Sequence, residues 1–222
     1  MSALLVALRK DVLLQWRGRV QIVAILAFGA AALLLFSFAI GPDSLALRRH
    51  AAGFLWIALL LASTLSLAES FEREMEEQAL EGVRLLPASA RALYYGKVIA
   101  NWAQLALLGA GLVPVMVVLY DAGTLRVVSL LGVILLGTAG LSAPGTLYAA
   151  MTAQARGRQT LLPLLLFPLV VPVLLAAVKA TSLLILGDPM DQLRPWVTLI
   201  VAFDLLHWSL GGLLFGRLLE DR

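Results

Sequence analysis

Cysteine is absent from this chain of 222 residues. Its absence excludes disulfides, iron–sulfur clusters and thiolate metal sites. Histidine is nearly absent, with only His50 and His207. Charged residues amount to 14% of the chain, against about a quarter in soluble domains. There is no phosphate-binding loop. The only Gly-Lys pair is Gly96-Lys97, with Arg91 where the first glycine belongs and Val98 where serine or threonine belongs. His-Glu-x-x-His and Gly-x-Ser-x-Gly signatures are missing too, so an enzyme reading has little support. The net charge of +3 does not point to nucleic acid, because the basic residues are spread among loops rather than gathered in a patch.

What remains is hydrocarbon. Apolar residues make up 61% of the chain, where a soluble domain has about 45–50%. Six apolar runs approach or reach the roughly 20 residues that cross a bilayer. They are expected at about 20–40, 51–68, 98–120, 127–150, 161–186 and 196–218. The fold class is therefore all-α and polytopic in the membrane, with residues 1–222 as a single membrane domain. The loops Gly41–His50, Asp121–Arg126 and Gly187–Pro195 are too short to hold a sizeable ligand.

Orientation follows from lysine and arginine. The N-terminus, the loops near 69–97 and 151–160, and the C-terminus hold Arg9, Lys10, Arg17, Arg19, Arg73, Arg84, Arg91, Lys97, Arg156, Arg158, Arg217 and Arg222. The other three loops hold only Arg48, Arg49, Arg126 and Arg194. Both termini are thus expected in the cytoplasm. Residues 1–19 carry a Leu4, Leu8, Val12 and Trp16 stripe beside Arg9, Lys10, Arg17 and Arg19, which suits an interfacial helix on the cytoplasmic leaflet. The rival reading is a signal peptide ending near Ser37-Phe38-Ala39, but the apolar core and the basic region are too long for one.

The longest charge-rich segment is ESFEREMEEQALEGVRLLP, from Glu69 to Pro87. Phe71, Met75, Ala79, Val83 and Leu86 recur at helical spacing, with Glu69, Glu72, Glu76 and Glu77 largely on the other face. A cytoplasmic amphipathic helix over about 69–86 is expected. Phe71, Met75 and Val83 are placed to seat in a partner's groove, and Glu72, Glu76 and Glu81 to face basic residues on it. The alternative, a helix lying on the membrane, is disfavoured by its acidic face, since the cytoplasmic leaflet is itself anionic.

Ionisable residues inside the spans are Lys179, Asp204 and His207, and such residues are functional hypotheses by default. Lys179 and Asp204 stand at matching depths of about 10 Å and about 12 Å from the outer ends of their spans. An ion pair between them is one expectation; an outward-snorkelling lysine and a separately hydrated aspartate is the other. His207 and His50 are candidate metal or haem ligands, with hydrogen-bonded packing as the commoner role. Trp56 reads as an interfacial anchor. Pro144, in the run Gly140-Leu141-Ser142-Ala143-Pro144-Gly145, and Pro163, Pro168 and Pro172 in the fifth span are either ordinary membrane prolines or bends shaping a path or hinge. Gly212 and Gly216 form a Gly-x-x-x-Gly that permits close helix approach within the chain or between two copies.

Several stretches, taken in order, resemble the CcmB family of type-2 ABC permeases. They are Ile40-Gly41-Pro42, Gly53-Phe54-Leu55-Trp56-Ile57-Ala58, Leu80-Glu81 with Leu85-Leu86-Pro87, Lys97 opening the third span, and Ala143-Pro144-Gly145. The resemblance implies a permease without its own ATPase, in the bacterial inner membrane and active in cytochrome c maturation. Two copies would pair with two copies of an ATP-binding subunit, alongside a haem-handling membrane protein and a periplasmic haem chaperone. ATP would bind the partner and no cofactor this chain; whether haem itself crosses stays open. The competing readings are a type-2 permease for another substrate, a stand-alone secondary transporter using Lys179, Asp204 and His207, and an assembly scaffold.

Overall fold

In the computed structural model, residues 19–76, 90–123, 126–152 and 158–220 are described. They form six helices: α1 (Arg19–Ile40), α2 (Ser44–Glu76), α3 (Ala90–Tyr120), α4 (Val127–Thr152), α5 (Arg158–Leu186) and α6 (Leu193–Glu220). Each contains a stretch long and apolar enough to cross a membrane, and no strand occurs among the described residues. The chain is an all-α polytopic membrane protein, as its composition requires. With no water in the bilayer core, each backbone must satisfy its own polar groups, and a helix does so within one segment.

Helix boundaries follow local chemistry. α1 ends at Gly41, whose φ of 84° is open to glycine without strain, and α5 ends likewise at Gly187 with φ 102°. The Gly41 and Gly187 N–H groups donate to the carbonyls of Ser37 and Leu183 at 3.2 and 3.0 Å. Asp43 then caps α2, accepting from the N–H groups of Leu45 and Ala46 at 3.0 and 3.1 Å. Asp188 does the same for α6, accepting from Gln192 and Leu193 at 2.8 and 2.9 Å. These caps shorten the loops. The expected loop Gly41–His50 contracts to three residues, because α2 already starts at Ser44. Arg48, expected in that loop, donates instead to the Ile185 carbonyl at the end of α5, at 3.1 Å.

α4 packs against α2, α3, α5 and α6, while α1 leans on α2 and α3. The apolar windows of α2 and α4 are 61% buried, those of the other four between 17% and 33%. α2 and α4 are therefore the inner helices, and the others face lipid over most of their surface. The exposed Val23, Phe38, Val118, Leu164 and Leu205 belong in that lipid-facing surface.

Trp56 is fully buried rather than an interfacial anchor. Its indole lies on Gly137 of α4, where a Cβ would stand against the ring. Its Nε1–H donates to Thr181 Oγ1 of α5 at 2.9 Å. One side chain thus joins three helices. The expected anchor role fails because α2 is central, so its apolar faces meet protein rather than headgroups.

Candidate functional site

A polar seam joins α3, α4 and α6 on the half of the bundle that holds the start of α3. The Tyr94 hydroxyl donates to the Ala143 carbonyl at 3.1 Å, and Ser142 donates to the Val98 carbonyl at 2.8 Å. Asn101 Nδ2 donates to Thr146 Oγ1 at 2.9 Å. From α6, Trp208 Nε1–H donates to the Ala139 carbonyl at 3.2 Å, and Trp208 in turn accepts the Tyr95 hydroxyl on its carbonyl at 3.2 Å. Lys97 is buried within this zone, at 8% exposure, and is not without partners. Tyr94 and Tyr95 lean over Gly211 and Gly212 of α6, where side chains would collide with the two hydroxyls. Gly212, the first glycine of the Gly-x-x-x-Gly, therefore serves contact within the chain. The side chain environment at 216 lies outside the described residues.

The sequence expectations do not include this seam; they place Lys97 among the cytoplasmic basic residues and at the start of the third span. A signal exists, however. Tyr94, Lys97 and Asn101 share one helical face, and Ser142 and Thr146 are four apart on another. In a double-mutant cycle, Asn101→Ala with Thr146→Val is expected to couple by about 0.6 kcal/mol and not above about 1.7, as interhelical hydrogen bonds in membranes do. Reversible unfolding in mixed micelles measures this.

The intramembrane ionisable residues do not converge. Asp204 is 9% exposed, and neither carboxylate oxygen has a hydrogen-bond partner. Lys179 is exposed on α5. The expected Lys179–Asp204 pair is thus not made, since matching depth on two helices does not place two side chains on facing sides. His207 is half-buried; its Nδ1–H donates to the Phe203 carbonyl at 2.9 Å and its ring stacks on Phe203 at 3.9 Å. His50 Nδ1 makes the same four-residue bond to the Ala46 carbonyl at 2.8 Å. Both rings are hydrogen-bonded to their own helix, His207 half-buried and His50 exposed. Among the described residues no three of His, Cys, Asp and Glu gather as a metal would require.

Pro144, Pro163, Pro168 and Pro172 all lie inside continuous helices, and so does Pro114 of α3, which the sequence reading did not single out. Each lacks an N–H and leaves the carbonyl four residues earlier without its helical donor. Pro144 does so to Gly140, which packs directly on Asp204: a Cβ built there would stand 2.7 Å from Asp204 Oδ1 and 2.6 Å from Val173 Cγ2.

Of the expected docking residues, Phe71, Glu72, Met75 and Glu76 fall on the last turns of α2, with side chains outside the described residues. Glu81 and Val83 lie outside them altogether, as do residues 1–18 of the expected interfacial helix. α2 runs unbroken through Glu69 to Glu76, so the amphipathic segment begins as a prolongation of the second span.

The fold and its buried polar seam define a class: a six-span helical membrane bundle with glycines and prolines at its inner contacts. A family model described as CcmB protein matches residues 2–217, and the chain belongs to that family. It is similar to Heme exporter protein B of Pseudomonas aeruginosa, 31% identical over 198 residues, or 89% of each chain. The protein of that name from Rhodobacter capsulatus is 35% identical over 150 residues, 68% of this chain and 69% of that one. The Bradyrhizobium diazoefficiens protein is 28% identical over 212 residues, 95% and 94% of the two chains. The resemblance read from the ordered short motifs is borne out.

Proposed function

We propose that this chain is the permease subunit of an ABC complex in cytochrome c maturation. In this reading it couples ATP hydrolysis on a separate subunit to haem export or to release of a haem-loaded periplasmic chaperone. The observation that carries the reading is the extent of the family match: residues 2–217 fall within it, and the relatives named Heme exporter protein B align across most of their own length. The match thus takes in all six spans together with the amphipathic segment between α2 and α3.

The geometry supports a mechanical role. α2 has 33 residues, about 50 Å at 1.5 Å per residue, whereas the hydrocarbon layer is about 30 Å thick. The helix therefore carries Phe71, Glu72, Met75 and Glu76 beyond the hydrocarbon on a stiff extension of an inner span. A push on that extension is passed to Trp56 and so to α4 and α5. Phe71, Met75 and Val83 would seat in the ATP-binding subunit, with Glu72, Glu76 and Glu81 toward its basic residues. This chain supplies no nucleotide chemistry in the proposal, and ATP belongs to the partner. The distribution of lysine and arginine supports both termini in the cytoplasm, and the family match supports a bacterial inner-membrane protein. A second copy of the chain, a haem-handling membrane protein and a periplasmic haem chaperone complete the proposed assembly.

A tagged pull-down from native membranes in mild detergent, read by mass spectrometry, tests this. Recovery of an ATP-binding subunit together with haem-handling proteins is the expected result. An ATPase without haem proteins would leave a type-2 permease for another substrate. Absence of any ATPase, even after crosslinking, would overturn the coupling role.

A further inference from the structure

Asp204 has no role in the coupling reading, yet its position is costly. A carboxylate taken out of water needs compensating charge or hydrogen bonds, and in a membrane span the penalty is met by a partner or a bound ion. Among the described residues Asp204 has no such partner: it is buried, with both oxygens unpartnered. The helices packed against α6 are α3, α4 and α5. α4 carries no charged side chain from Val127 to Thr152. On α5, Lys179 is exposed. On α3, Arg91 is exposed, Lys97 makes no hydrogen bond to Asp204, and the Tyr94 and Tyr95 hydroxyls donate to the Ala143 and Trp208 carbonyls. On α6 itself, His207 is bonded to the Phe203 carbonyl and Arg194 is exposed. Among the described residues no side chain supplies a hydrogen bond or a countercharge in contact with Asp204.

Gly140 stands against Oδ1, and Pro144 deprives the Gly140 carbonyl of its helical donor. Val173 packs on the same glycine. Backbone carbonyls released from helical bonding are among the groups by which membrane carriers coordinate sodium ions or protons.

We propose that Asp204 and the freed Gly140 carbonyl form an intramembrane binding site for a small monovalent cation, a proton or a sodium ion. Glycine at 140 lets Asp204 Oδ1 pack against the α4 backbone, and a methyl group there would displace it. The site lies between α4, α5 and α6, so occupancy governs how closely these helices approach. It is independent of whether an ATPase docks on the α2 extension.

The test uses the full chain purified in nanodiscs. Thermal unfolding is followed while sodium chloride replaces choline chloride at constant ionic strength, and protonated carboxyl is read by infrared difference spectroscopy on alkalinisation. If sodium is the occupant, the wild-type midpoint rises with sodium; the response falls at least about tenfold in apparent affinity in Gly140→Ala and vanishes in Asp204→Asn. If the occupant is a proton, sodium has no effect, and the wild type shows a protonated-carboxyl band that Asp204→Asn lacks. Should the variants not insert, dicyclohexylcarbodiimide labelling of the wild type, mapped by mass spectrometry, replaces them. Labelling at Asp204, with or without sodium protection, then supports the site. A wild type with no sodium response, no Asp204-dependent carboxyl band and no labelling at Asp204 overturns the proposal.

Discussion

Replacing Trp56 with alanine is expected to destabilise the bundle by about 3–5 kcal/mol, the range for deleting a large buried aromatic. Trp56 is fully buried, lies on Gly137 and donates to Thr181. Its removal opens a void at the meeting of α2, α4 and α5 and strips Thr181 of a donor. In a membrane, packing rather than expulsion from water holds helices together, so a void between the inner helices is poorly compensated by lipid. Trp56→Phe keeps most of the ring and loses the N–H, and is expected to cost about 1 kcal/mol for the hydrogen bond. Equilibrium unfolding in mixed micelles measures both. An alanine variant within about 1 kcal/mol of wild type would mean that the three-helix junction does not hold the bundle.

Phe71→Ala with Met75→Ala is expected to abolish cytochrome c maturation while the chain still inserts at normal levels. Seating each side chain in a partner groove is worth about 1.5–3 kcal/mol. Losing both weakens docking by about 3–6 kcal/mol, or roughly 10²–10⁴-fold at 1.4 kcal/mol per decade. Glu72→Gln with Glu76→Gln is expected to do less, mainly altering the association rate and its salt dependence. Copurification of the ATP-binding subunit, with staining for covalently bound haem in the cytochrome pool, reads the outcome. Wild-type maturation in the double alanine variant would remove Phe71 and Met75 from the coupling interface.

Much of the architecture was legible because it rests on one strong term. Six apolar runs separated by Gly, Pro, Asp and Arg allow little besides six helices in a bilayer, and the helices overlie the expected spans, although α2 begins seven residues earlier at Ser44, behind its Asp43 cap, and α3 eight earlier at Ala90. The candidate site was less legible. Lys179 and Asp204 matched in depth, but depth is set by rise along the axis, whereas pairing depends on rotation about it. Rotation is fixed by packing of neighbouring helices, and here it turns Lys179 outward and Asp204 inward. Trp56 failed as an anchor for the same reason: hydropathy reports that a residue avoids water, not whether it meets lipid or protein.

The sequence by itself determined the solvent, the number of spans and the family, because transfer of residues into hydrocarbon is nearly additive along the chain and ordered motifs survive in one dimension. Only the tertiary structure decided that α2 and α4 are the inner helices, that Gly212 is spent on Tyr95 within the chain, that Tyr94, Ser142 and Asn101 knit α3 to α4, and that Asp204 stands alone against Gly140. Those facts depend on which faces of separate helices meet. Close packing sets that through small residues and single hydrogen bonds, worth little each and invisible until the helices are side by side.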